Sequence, residues 1–201
     1  MVPRRMLLCA VSVCLLAGLI SAQTPETGKA PDPQMQAMME SWMKYASTGP
    51  EHKVLADRAG KWDAAVRFWM APDAPADESK STSECTLIMG GRYLVEKLEG
   101  IANGMPFSGM GITGYDNIKK RYVGIWIDNM STGIMASESV GDSTGRVISY
   151  VCEMPDPVAG KYKKCRAVET TIDANTRKME SYDFAPDGKE FKAMEIIYTR
   201  K

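Results

Sequence analysis

The chain has 201 residues, with 25 Lys and Arg against 25 Asp and Glu, and 44% of its residues are hydrophobic. Charges of both signs are interspersed with no basic block, which argues against a surface that tracks a phosphate backbone. The length is ample for one domain with a real core and short for two ordinary ones.

The first residues read as an export signal. Arg4 and Arg5 form a positive start, Met6 to Ile20 is uncharged and apolar, and Ser21-Ala22 offers a small-residue cleavage point. The apolar stretch falls short of the ~20 residues that a membrane-spanning helix needs. Residues 1–22 are therefore expected to be removed, leaving 23 basic against 25 acidic residues and no stable membrane span. The expected location is periplasmic or secreted. Residues 23–32 carry Pro and Gly steps that suit a flexible leader.

Residues 33–59 are expected to be helical. Asp32-Pro33 can start a helix, and Met35, Met38, Met39, Trp42, Met43 and Ala46 recur at helical spacing. Docking of this methionine-rich stripe on its own domain is the simplest expectation; a partner or a membrane surface is the alternative. Gly49-Pro50 breaks the helix, and a second, shorter one can run to Ala59.

From Gly60-Lys61-Trp62 onward the period changes to two, and residues 60–201 read as an all-β domain. Gly60 permits a sharp bend, after which the Trp62 indole can plug one end of a barrel. Strand-like runs then centre on 81–89, 93–101, 106–114, 122–128, 133–140, 147–154, 162–172, 178–184 and 191–200, about ten with the first. Polar turns such as Gly90-Gly91, Asn103-Gly104 and Asp173-Ala174-Asn175 separate them. Short connections without helices imply sequential antiparallel pairing. A closed sheet has no exposed edges, so the expected fold is an antiparallel, lipocalin-like barrel, with a sandwich as the alternative.

Three cysteines follow residue 22: Cys85, Cys152 and Cys165. Cys152 and Cys165 lie symmetrically about a four-residue turn, Pro157 to Gly160, which places them opposite each other on paired strands. A disulfide and two free thiols are both open at this point. Three cysteines and one histidine fit no zinc spacing, and no cofactor is implied.

Chemistry-bearing residues are few. His52 is the single histidine and could ligate haem or act as a base; a capping or packing role is the plainer reading. No Gly-X-Ser-X-Gly elbow occurs. Gly109, Gly111 and Gly114 lie within a strand-like run and suggest tight curvature rather than a phosphate cradle. Glu96 and Glu99 have opposite parity, so one regular strand cannot aim both into a cavity. Glu99 and Glu138, with His52 or Tyr115, are the candidates for a polar barrel mouth; the plainer reading leaves the two carboxylates solvated or ion-paired. Trp126 and Asp128 share a strand face next to a hairpin, where they could form a ligand-facing rim.

Several of these segments also carry a resemblance. Gly49-Pro50-Glu51-His52, Gly60-Lys61-Trp62, Gly90-Gly91-Arg92-Tyr93-Leu94, Gly114-Tyr115-Asp116-Asn117, Trp126 to Asn129 with Ser131-Thr132-Gly133, and Tyr198 to Lys201 resemble an uncharacterised bacterial family, the domain of unknown function number 1579. The resemblance covers about residues 50–201. It implies a calycin-like barrel and no particular activity. Similarity to calycins further implies that Arg200 stacks on Trp62, with Arg92 as the competitor. The leading expectation for function is thus an exported barrel that binds a small, mostly apolar ligand. An enzyme using mouth carboxylates and a purely structural or partner-binding domain are the alternatives.

Overall fold

The structure, a computed structural model, describes residues 32–141, 145–185 and 187–201. The expected export signal and nearly all of the expected leader lie outside the described residues. The chain divides into two units, one ending at Met39 and one running from Glu40 to Lys201.

In the first unit, helix α1 (Pro33–Ala46) begins as the sequence suggests, with the Asp32 carboxylate accepting the Gln34 amide N–H at 2.9 Å. The second unit holds the end of α1, helix α2 (Pro50–Asp57) and all the strands. Its part of α1 is held by backbone caps. Asn117 donates to the carbonyls of Tyr45 and Ser47 at 2.8 Å each, and Arg92 Nε donates to that of Ala46 at 2.9 Å. Trp42 and Met43 remain exposed, so this part of the stripe does not dock on the barrel as expected. Among the described residues, no helix is long and apolar enough to cross a membrane.

Ten strands follow: β1 (Gly60–Phe68), β2 (Asp77–Ile88), β3 (Tyr93–Ala102), β4 (Met105–Asp116), β5 (Arg121–Asp128), β6 (Met135–Val140), β7 (Val147–Asp156), β8 (Lys161–Thr171), β9 (Thr176–Phe184) and β10 (Glu190–Arg200). Each pairs antiparallel with its sequence neighbours, and β1 pairs with β10 to close the barrel. Turn chemistry explains the register. Asp156 Oδ1 accepts the N–H groups of Val158 and Ala159, and Gly160 takes φ 63°, so the loop 157–160 returns the chain with Asp156 opposite Lys161. That register sets Cys152 against Cys165, and they are disulfide-bonded with Cα atoms 4.9 Å apart. Cys85 is left free and buried. Replacing both bonded cysteines by alanine should lower the unfolding free energy by about 3 kcal/mol, the chain-entropy value for a loop of this size. Chemical denaturation of the two forms under oxidising conditions measures it.

Alternation along the strands fills the interior. Trp62, Ala64, Leu94, Leu98, Tyr122, Ile148, Tyr150, Ile196 and Tyr198 form one buried cluster. Helix α2 caps the end of the barrel at which β1 starts and β10 finishes. Leu55 is fully buried there, and the Tyr122 hydroxyl donates to the Glu51 carbonyl at 3.1 Å. Gly60 has φ 127°, and a Cβ at this position would come 2.7 Å from an Arg200 guanidinium nitrogen. A side chain there is excluded both by the backbone and by the neighbour.

Candidate functional site

Direct cross-strand partners share a face, so the ladders give the lining of the lumen. Near the helix-capped end the lining is ionic. Arg177 on β9 donates to Glu96 on β3 at 3.0 Å, and the Ser83 hydroxyl donates to the same carboxylate oxygen at 2.6 Å. Arg58, just beyond α2, pairs with Glu169 on β8, whose carboxylate also accepts the Tyr150 hydroxyl at 3.1 Å. Arg177 lies 3.9 Å from Glu169 as well, joining the two pairs. Its guanidinium sits over the rings of Tyr198 (3.6 Å) and Trp62 (5.2 Å). Two arginines and two glutamates thus form a charge-balanced floor.

The electrostatics follow from this geometry. Burial alone would raise the Glu169 pKa, but Arg58 and Arg177 outweigh it and hold the carboxyl below its usual range. Burial would lower the pKa of Arg177, and Glu96 leads the groups that raise it instead. The Cys85 thiol is pushed up to about 11, first by burial and then by Glu96, so it stays protonated and inert.

Away from the floor the lining is mixed: Val66, Leu98, Phe107, Trp126, Met179 and Met194 lie among Ser81, Ser137, Ser139 and Ser181, and Lys163 pairs with Asp183 at 2.5 Å on the same face. Trp126 shows why the glycines of β4 are needed. A Cβ on Gly109 would overlap the Trp126 ring, and one on Gly111 would approach it to 3.0 Å. The glycines make room for the indole, a more specific reason than the strand curvature expected. Gly109→Ala should cost roughly 1–3 kcal/mol by overpacking, read from the urea midpoint. Trp126 and Asp128, expected on one strand face, share the inward one, and Trp126 Nε1 donates to Asp128 at 3.0 Å.

The remaining expected residues divide clearly. Glu99 is exposed on the outer face of β3, because Leu94 and Leu98 fix the even-numbered residues inward; Glu96 is the carboxylate that enters the lumen. Glu138 is also on the outside, paired with Lys119 and Arg121, and its hydrogen bond from Lys119 leads the effects that lower its pKa. Neither of the two proposed mouth carboxylates reaches the lumen. His52 is buried, and its Nδ1 accepts the Gly49 amide N–H at 3.0 Å as part of the α2 cap. Its ring meets Tyr115 edge-on at 5.9 Å, and Tyr115 meets Tyr122 at 5.1 Å. Burial lowers the His52 pKa, which favours the neutral imidazole that accepts this bond. Arg200 sits over Trp62 at 4.1 Å, as the calycin resemblance implies, while Arg92 is engaged elsewhere. Arg177, Arg58 and Glu169 were not singled out from the sequence, although they build the floor. Among the described residues, no three His, Cys, Asp or Glu side chains gather as a metal site.

Two cavities open at the helix-capped end. One of about 720 Å³ is bordered by α2, the start of β7 and the β8–β9 turn; a second of about 230 Å³ lies beside His52, Tyr115 and Asn117.

Residues 47–200 match the sequence profile of a family described as "Protein of unknown function (DUF1579)". Comparison with curated proteins gives no match. Among solved structures, the chain is similar to the crystal structure of Rv2717c from M. tuberculosis, at 14% identity and a TM-score of 0.55, covering 77% of this chain and 99% of that one. A redesigned β-barrel is also similar, at 15% identity and a TM-score of 0.40, covering 78% and 99%. The first likeness concerns the fold alone.

Proposed function

The chain belongs to the DUF1579 family of proteins of unknown function, and from that premise we propose that it is an exported barrel that binds a small, mostly apolar ligand in its lumen. The observation that carries the reading is residual exposure inside the barrel. The Glu96 and Glu169 side chains point inward at the floor yet keep 18% and 21% of their surface accessible. Side chains in a solidly filled barrel would keep almost none, so this exposure supports accessible space beside the floor. The surrounding Met, Trp and Phe side chains suit an adaptable apolar site, and the Glu96 and Glu169 carboxylates supply a few fixed polar groups. The ligand is therefore an apolar body with one polar end that meets the floor.

The experiment is extraction of the purified protein followed by mass spectrometry, together with uptake of the neutral fluorophore N-phenyl-1-naphthylamine. A co-purified apolar compound, or saturable fluorophore uptake abolished in Gly109→Leu, supports the reading. Absence of both in the folded wild-type protein overturns it.

A further inference from the structure

The cavity of about 720 Å³ at the helix-capped end lies against the floor, sharing Arg58, Trp62 and Arg177 with it, and its charges do not balance. Four arginines line it: Arg58, Arg146, Arg177 and Arg200. Arg58 and Arg177 are matched by the floor carboxylates. Arg200 spends its donors on the carbonyls of Asp57, Ala59 and Ala174, which accept hydrogen bonds without cancelling its charge. Among the described residues, neither Arg146 nor Arg200 forms an ion pair. Of the two acids of the lining, Asp57 pairs with Lys53 at 2.7 Å, while Asp173 accepts the Asn175 amide N–H at 2.7 Å and keeps its charge. Among the described residues, two unmatched arginines against the single unmatched carboxylate of Asp173 leave a modest excess of positive charge facing this space.

A second observation comes from behind the wall. The Nε atoms of both Arg58 and Arg177 are buried with no hydrogen-bond partner among the described residues, and both side chains are more than nine-tenths buried. Buried donors without acceptors are rare, and leaving them unpaired is costly in a low-dielectric interior. Val54, Trp62, Ile172 and Ala174 supply apolar wall between the arginines. The volume lies in the range of small-molecule sites.

We propose that this cavity binds a small organic oxyanion, a carboxylate or phosphate group on an apolar body, with Arg146 as its accessible ionic contact. A guanidinium meets either group through a planar fork of donors, which is why the two share one site chemistry. The proposal is independent of the lumen reading.

The test is titration of the full ¹⁵N-labelled protein with benzoate, with inorganic phosphate, and with benzamide as a neutral isostere of benzoate, followed by amide shifts. Saturable shifts at Gly145, Arg146 and Asn175 with benzoate assign the carboxylate; the same shifts with phosphate alone assign the phosphate. Benzamide should leave them unmoved. Arg146 is exposed, so Arg146→Gln should fold normally and weaken binding about tenfold, and Arg146→Lys should fall between the two. The proposal is overturned if neither anion moves these amides at millimolar concentration, if benzamide moves them equally, or if Arg146→Gln binds as wild type. Shifts confined to Gly109 and Gly124 also overturn it, and support ligand entry to the lumen instead.

Discussion

Trp62→Ala is expected to destabilise the barrel by roughly 3–5 kcal/mol, the range for removing a buried aromatic. Trp62 is 2% exposed, and its Nε1 donates to the Arg58 carbonyl at 3.0 Å. The substitution therefore opens a cavity, orphans a carbonyl and removes the ring under two guanidinia at once. For a domain of this size the melting temperature should fall by roughly 10 °C or more. Arg200→Ala is the informative contrast. It leaves the indole packed but frees three carbonyl groups, so a smaller fall of about 1–3 kcal/mol is expected. Thermal melts of both variants rank the two contributions, and an unchanged melting temperature for Arg200→Ala would remove Arg200 from the structural account.

Glu169→Gln should have an effect of similar size for a different reason. It leaves Arg58, 7% exposed, without its charge partner. Breaking a buried pair on one side costs roughly 3–5 kcal/mol. The 21% exposure of Glu169 admits some screening and places the expected value at the lower end. The pH dependence is the sharper signature. The folded-state pKa of Glu169 lies below its unfolded value of about 4.3. Its contribution to stability is fully present above that unfolded value and is lost as pH falls through the folded one. Wild type and Glu169→Gln should therefore differ most near neutral pH and converge in acid. Denaturation midpoints at neutral pH and below pH 4 test this; a gap that stays constant with pH would show that ionisation of Glu169 contributes nothing.

The strands were legible in the sequence because each is written twice, once in its alternation and once in its turn. Loop 157–160 is an example: Asp156 and Gly160 fix its geometry locally, and the pairing of Cys152 with Cys165 follows by counting. The floor was not legible for the opposite reason. Arg177 sits between Thr176 and Lys178 just after a polar turn, which reads as a solvated edge. Arg58 reads as the end of a short helix. They meet Glu169 and Glu96 only because the barrel closes and α2 covers that end, and neither event leaves a local mark. Glu96 is the intermediate case. Leu94 and Leu98 share its parity, so its inward direction could have been read from β3, and the choice of Glu99 overlooked it.

The closing ladder between β1 and β10 has a consequence for how the molecule is assembled. Every other ladder joins consecutive strands and can form as a hairpin soon after its residues are available. The last one must bring together segments more than a hundred residues apart, as Trp62 and Arg200 are. Until it forms, β1 and β10 are two bare sheet edges open to pairing with another chain. Arg200 then acts as a latch on this seam, reaching across it to the carbonyls of Asp57 and Ala59 just before β1. Weakening the latch should slow ring closure and lengthen the life of an aggregation-prone open sheet. Its loss would thus show in refolding yield at high protein concentration as well as in the melting temperature of the finished fold.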